Sequence, residues 1–293
     1  MERFIYQRAV DVQHAASLLR EPGIRSRVLA GGTDLVLMAR GDRNICDRVV
    51  DISLIPELHR ISREADTVTI GAAASFSEVI ESPIVNETAP VLVQACRQVG
   101  AGQIRNMGTL GGNVANAAAC ADSLPALVCL DAVARILTPS EVRTLAVSEL
   151  VIRPNRTQIP ADGLLVSLSY TVPAAGSRSL FLKLGRRNAL AISRLTLAAL
   201  GRLDAAGHVA EARLVPGSAT PQIRRFAAVE EWLVGHTPDE TRLREAGRLA
   251  VEEMARLTGK RWSSEFKEPA MKTLVVRALR TIFAPLASTG ANA

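Results

Sequence analysis

Two pairs of adjacent glycines carry the strongest chemical signal in this chain of 293 residues. In Leu29-Ala30-Gly31-Gly32-Thr33-Asp34 a short apolar run ends in Gly-Gly and turns into Thr-Asp. Successive backbone N–H groups unscreened by any Cβ form a concavity of partial positive charge, suited to an anion such as a pyrophosphate. Taken alone, the motif fits an ordinary strand-to-turn junction equally well. Thr109-Leu110-Gly111-Gly112-Asn113 reads as a second Gly-Gly turn of the same kind, about eighty residues further on. Its Thr and Asn add a hydroxyl and a carboxamide within reach of phosphate or polyol oxygens. Two such turns fit a long ligand gripped on both sides of a diphosphate.

The second turn sits in Gly100 to Asp122, a stretch rich in Gly, Ala and Asn whose only bulky side chains are Ile104, Arg105, Met107 and Leu110. Such a segment cannot fill a core by itself. It is either a linker or a wall beside something else, and linkers favour Ser, Pro and charge over this composition. Other chemistries lack their signatures. No G-x-G-x-x-G follows a strand and no P-loop is present. His14, His59, His208 and His236 have no metal spacing, and no G-x-S-x-G elbow or triad context exists. We expect no catalytic side chain and no metal ligands.

Composition narrows the class further. Apolar residues make up 48% and charged residues 22%, enough for buried cores and inconsistent with disorder. Aromatics at 3% argue against a protein that stacks nucleobases. Of the 35 basic residues only Lys183, Lys260, Lys267 and Lys272 are lysines, and the charges are scattered, so the net +6 does not form a backbone-tracking patch. No nucleic-acid partner is expected. No run of about 18 apolar residues suggests a membrane span. Cys46, Cys96, Cys120 and Cys129 form no C-x-x-C pair and read as reduced thiols of a cytoplasmic protein.

The elements that must position the motifs are mixed. Helical spacing runs from Arg8 to Leu19, and Arg27–Ala30, Arg48–Ile52 and Thr67–Gly71 read as strands. Ser75 with Glu78 three residues on is a capping box opening a helix, and Pro90–Val99 is another helix. Val128–Leu137 and Leu164–Val172 read as strands, and Pro173-Ala174-Ala175-Gly176-Ser177 as a domain junction. Beyond it, Ser179–Leu184, Ile192–Leu203 and Val209–Val215 are strand-like around a hairpin turn at Asp204–His208. Helices over Ile223–Leu233, Asp239–Arg256 and Glu268–Ala284 complete an α+β chain in two parts.

LAGGTD, QIRNMGTLGGNVANAAACADSLPAL and FLKLGRRNALAIS, in that order and spacing, resemble the FAD-binding medium subunit of the molybdenum hydroxylases. These are the flavoprotein components of the bacterial xanthine dehydrogenase and carbon monoxide dehydrogenase group. Lys260 to Phe266 before a final helix is similar to that family's C-terminal domain, so the resemblance spans essentially the whole chain. It implies a PCMH-type FAD-binding domain of two α/β subdomains over residues 1–174. A small carbon monoxide dehydrogenase flavoprotein-like domain, an antiparallel sheet with a helical bundle, would follow over 175–285, and 286–293 would be a tail.

The resemblance also implies roles. Arg27, Val28, Leu29, Ala30, Gly31, Gly32, Thr33 and Asp34 would wrap the FAD pyrophosphate, and Thr109, Leu110, Gly111, Gly112 and Asn113 would hold its other side. Asp122 matches an acidic position near the flavin, Leu165 an apolar contact, and Lys183 a basic residue near the ring, where its charge would favour the reduced cofactor. Each has a plainer alternative: a helix N-cap for Asp122, core packing for Leu165 and a surface ion pair for Lys183. Some relatives cover the ring with an aromatic residue. Here that segment reads Asn188-Ala189-Leu190-Ala191-Ile192, so Leu190 or Ile192 would have to do so. One branch carries an inserted cysteine loop, absent here.

By the same resemblance a small partner subunit would carry two [2Fe-2S] clusters and a large one molybdopterin. Electrons would pass to FAD and on to NAD or another acceptor, in a dimer of heterotrimers. The rival within the superfamily is a standalone FAD-dependent oxidase or dehydrogenase of the same fold. The rival from another class is an Arg-rich nucleic-acid-binding protein.

Overall fold

The computed structural model describes residues 4–42, 45–187 and 190–284. The expected tail at 286–293 and the Asn188-Ala189 part of the ring-covering segment lie outside them.

The chain opens with β1 (Ile5–Arg8), α1 (Val12–Leu19), β2 (Ser26–Leu29), α2 (Leu35–Gly41) and β3 (Arg48–Asp51). The three strands form a parallel sheet in the order β1-β3-β2. Asp11 starts α1 by accepting the His14 N–H at 2.7 Å. Val12, Ala15, Ala16 and Leu19 then recur on one face and bury it. The expected strand over Arg27–Ala30 is β2. β1 has no sequence signal, because its side chains are mostly exposed and do not alternate. The apolar run after Gly32 forms α2, a helix with no buried residue.

A five-stranded antiparallel sheet follows, ordered β4-β5-β10-β6-β7. Its strands are β4 (Ile61–Glu64), β5 (Thr67–Gly71), β6 (Val133–Leu137), β7 (Val142–Ala146) and β10 (Leu164–Thr171). Between β5 and β6 lie six helices: α3 (Phe76–Glu81), α4 (Pro83–Thr88), α5 (Pro90–Arg97), α6 (Gly102–Met107), α7 (Leu110–Asn116) and α8 (Ser123–Cys129). The capping box at Ser75 and Glu78 is present in full. The short α9 (Val147–Leu150) and the pair β8 (Val151–Arg153) and β9 (Arg156–Thr157) link β7 to β10.

One expectation fails here. The apolar run Val128–Leu137 is not a single strand: its start finishes α8, Asp131 turns at φ 50°, and only Val133 onward is strand. An apolar run this short does not distinguish buried helix from strand by periodicity.

The C-terminal part is the antiparallel sheet of β11 (Arg178–Leu184), β12 (Leu195–Leu203) and β13 (Val209–Gly217). Packed on it are α10 (Ala227–Leu233), α11 (Glu240–Thr258) and α12 (Ser264–Ile282). Gly207, at φ 82°, makes the expected hairpin turn. α12 starts before the expected Glu268 and keeps Pro269 inside it. Proline suits a helix's first turn, which draws the sequence-based boundary too late.

Glu240 at the start of α11 binds Arg280 of α12 and Arg244, and these guanidinium hydrogen bonds hold its carboxyl down to about 2. A depressed carboxyl contributes stability above its ordinary pKa and loses it as pH falls through the folded value. The stability difference between wild type and Glu240→Gln in urea unfolding is therefore expected to be present at about pH 7. It should shrink toward about pH 2.

Candidate functional site

The first Gly-Gly segment leaves the carboxyl end of β2, and no acceptor in the protein takes the N–H groups of Gly31, Gly32, Thr33 or Asp34 among the described residues. Gly32 has φ 70°, where a side chain is strained. Gly31 is glycine for a different reason. A Cβ there would lie 1.8 Å from the Met107 carbonyl oxygen and 2.9 Å from the Gly108 Cα. Gly31 thus rests on the backbone that leads into Thr109, and the two Gly-Gly segments meet. Four unpartnered amides in one partly exposed loop match the donor set a pyrophosphate needs. Arg27 is exposed on edge strand β2, with Val28, Leu29 and Ala30 half-buried behind the loop.

The second segment is not a turn of the same kind. Thr109 is the N-cap of α7, and Leu110 to Asn113 form its first turn. The Gly112 N–H is bound by the Thr109 hydroxyl at 3.0 Å. The Leu110 and Gly111 N–H groups donate to Ala74 and Ala72 carbonyls at 2.9 and 3.0 Å. These amides are already used, so they cannot form a second bare cradle. Gly111 instead lets α7 approach the segment after β5, since a Cβ would stand 2.4 Å from the Ala72 carbonyl oxygen. Asn113 accepts the Ser123 hydroxyl through Oδ1 at 2.7 Å, which leaves its amide nitrogen as the available donor. The small-residue stretch is therefore a set of close-packed short helices rather than a linker.

Asp122 stands at the N-cap position of α8, yet its side chain makes no capping bond. Its Oδ2 pairs with the Lys183 ammonium of β11 at 2.6 Å, and Oδ1 accepts the Ser193 hydroxyl. The two ionic side chains are 5% and 8% exposed, so this is a buried ion pair, not the surface pair weighed from sequence. Burial pushes the Asp122 carboxyl above the ordinary aspartate range, against the opposing bonds from Lys183 and Ser193. Lys183 also donates to the Gln98 carbonyl at 2.9 Å.

Cys120 joins this cluster to the glycine loop. Burial raises its thiol, and the charges of Asp122, Lys183 and Asp34 all act on it. Leu165 is buried on β10 opposite Ile136, beside the bulge before Ser167, in the core of the five-stranded sheet. Leu190 and Ile192 are 56% and 78% exposed. Among the described residues no group of His, Cys, Asp and Glu could hold a metal ion.

A family model described as the FAD binding domain in molybdopterin dehydrogenase matches residues 2–174. The chain belongs to that family. A second model, the CO dehydrogenase flavoprotein C-terminal domain, matches residues 181–282. The nicotinate dehydrogenase FAD-subunit of Eubacterium barkeri is 30% identical, covering 80% of this chain and 81% of its own. A xanthine dehydrogenase FAD-binding subunit of Escherichia coli is 29% identical over 94% of both chains. Among solved structures, carbon monoxide dehydrogenase from Hydrogenophaga pseudoflava superposes with TM-score 0.89 at 26% identity, covering 97% of this chain and 98% of that one. This flavoprotein subunit is thus a FAD-binding oxidoreductase component of the molybdenum hydroxylase type.

Sequence reasoning missed Ser193, Gln98 and Ser123. Ser193 lies in a run taken for strand, but Leu190 has φ 53° and β12 begins only at Leu195. That left-handed residue is invisible in an apolar stretch. Ser123 is fully buried, and only its Asn113 partner had attracted notice.

Proposed function

We propose that this chain is the electron-transfer subunit of a molybdenum hydroxylase. It would accept electrons from the [2Fe-2S] clusters of a small partner subunit and pass them to NAD or another acceptor. A large molybdopterin subunit would oxidise the substrate. The bound FAD supplies the two-electron chemistry, and this chain's residues bind and orient it. The unpartnered Gly31–Asp34 amides, set against Met107-Gly108, carry the reading. In it Arg27 to Asp34 receive the pyrophosphate, while Thr109 to Asn113 build the opposite wall and offer the Asn113 amide. Asp122, Lys183 and the Leu165 strand set the charge and packing behind the ring.

The family-model bounds support dividing the chain at residues 174 and 175. The exposed apolar side chains of α2, Val36, Leu37 and Met38, lie close to the glycine loop and support a partner subunit covering that face. No helix among the described residues is long and apolar enough to cross a membrane, and four free cysteines fit a cytoplasmic setting.

The purified chain mixed with FAD is expected to retain a flavin absorption band through gel filtration. A folded chain that leaves FAD free at about micromolar concentration would overturn the reading. Cys120 is the one cysteine of the four not fully buried, and it lies near the cradle. Mass spectrometry of the denatured chain should give the protein mass alone. An added flavin mass would instead favour the standalone oxidase.

A further inference from the structure

Ser193 closes the FLKLGRRNALAIS motif without an expected role, yet it helps fix the best-buried carboxylate of the candidate site. The residue is 6% exposed, directly after Ile192 at 78% and just before β12. Its hydroxyl donates to Asp122 Oδ1 while the Lys183 ammonium holds Oδ2 at 2.6 Å, so each oxygen has its own donor. The bond also joins the C-terminal half to Asp122 where the chain passes from surface to sheet. Resting on the FAD reading, we infer that Ser193 is a positioning residue for the flavin site. It keeps the Asp122 carboxylate turned toward Lys183 and holds the segment entering β12 against the site.

Among the described residues two groups act on Asp122, Lys183 from β11 and the Ser193 hydroxyl, while its own charge raises the thiols of Cys96 on α5 and Cys120. Without the hydroxyl, Oδ1 becomes a buried acceptor with no donor. The protonated acid is then favoured, and the Lys183 ammonium is left without its counter-charge. A more positive surrounding favours the reduced form of a bound flavin, which raises its midpoint potential.

The test uses the full chain loaded with FAD. Ser193→Ala is expected to bind FAD about tenfold more weakly. Its flavin midpoint potential should lie above that of wild type. Ser193→Thr keeps the hydroxyl and should return both values toward wild type. Should Ser193→Ala fail to fold, Ser193→Cys, similar in shape with a weaker donor, must show the same rise in smaller measure. An unchanged potential in the folded variants overturns the inference, as does an equal melting loss in the Ala and Thr variants without a potential shift. The FAD reading fails separately, in the wild-type chain, if that chain binds no flavin.

Discussion

Replacing Lys183 with methionine is expected to destabilise the folded chain by about 3–5 kcal/mol, because it strands the Asp122 carboxylate in a buried seam. The double variant Asp122→Asn with Lys183→Met should recover most of that loss. Removing both charges of a buried pair costs far less than removing one. Urea unfolding of the wild type, both single variants and the double variant measures the coupling. A Lys183→Met loss below about 1 kcal/mol would mean the pair does not hold the seam. The pH dependence has a definite sign. Burial already raises the Asp122 carboxyl, and losing its cation raises it further. A carboxyl raised in the folded state contributes stability at low pH and loses it as pH rises through the folded value. The deficit of Lys183→Met should therefore be largest near about pH 7 and narrow on acidification.

Gly31→Ala is expected to abolish retention of FAD, with an affinity loss of about a hundredfold, the equivalent of the ~3 kcal/mol upper range for overpacking. The added methyl would meet the Met107 carbonyl at 1.8 Å, a backbone group that cannot rotate aside. The loop must move, and its free amides move with it. Gly32→Ala separates steric from conformational effects. Its Cβ would meet only the Leu29 and Val36 side chains, at 3.0 and 3.4 Å, so the cost is left-handed strain of about 1–2 kcal/mol. Fluorescence titration of FAD against the two variants tests the order. A Gly31→Ala protein that binds like wild type would remove the convergence of the two glycine segments from the account.

Much of the scaffold was legible because local rules and tertiary context agree. The capping box at Ser75, the hairpin around Gly207 and the alternation from Leu168 to Thr171 in β10 all satisfy neighbours in sequence. The glycine loop was legible for its amides, but the use of Gly31 as a contact surface for Met107 was not, since nothing local marks that approach. The second glycine pair misled for a physical reason. Gly111 and Gly112 look like a turn, but the Thr109 hydroxyl caps a helix there and Gly111 serves packing on Ala72. Asp122 and Lys183 are 61 residues apart, so no periodicity pairs them, and only the family resemblance singled them out. Ser193 ends one of the motifs that carry that resemblance, but the resemblance gave it no role.

The two halves matched by separate family models are stitched along one strand. On β11, Ser179 accepts the Val91 N–H at 3.2 Å, Phe181 donates its N–H to Gln94 at 2.9 Å, and Lys183 reaches the Gln98 carbonyl. Phe181, Ala198, Leu200 and Val215 from the C-terminal sheet complete the core of the N-terminal half, and Asp131 pairs with Arg213 and Arg225 across the same boundary. Two family models divide the chain, but its packing does not. An N-terminal fragment cut at the boundary would expose a hydrophobic wound and forfeit the ammonium that balances its own buried acid, so neither half is a portable part.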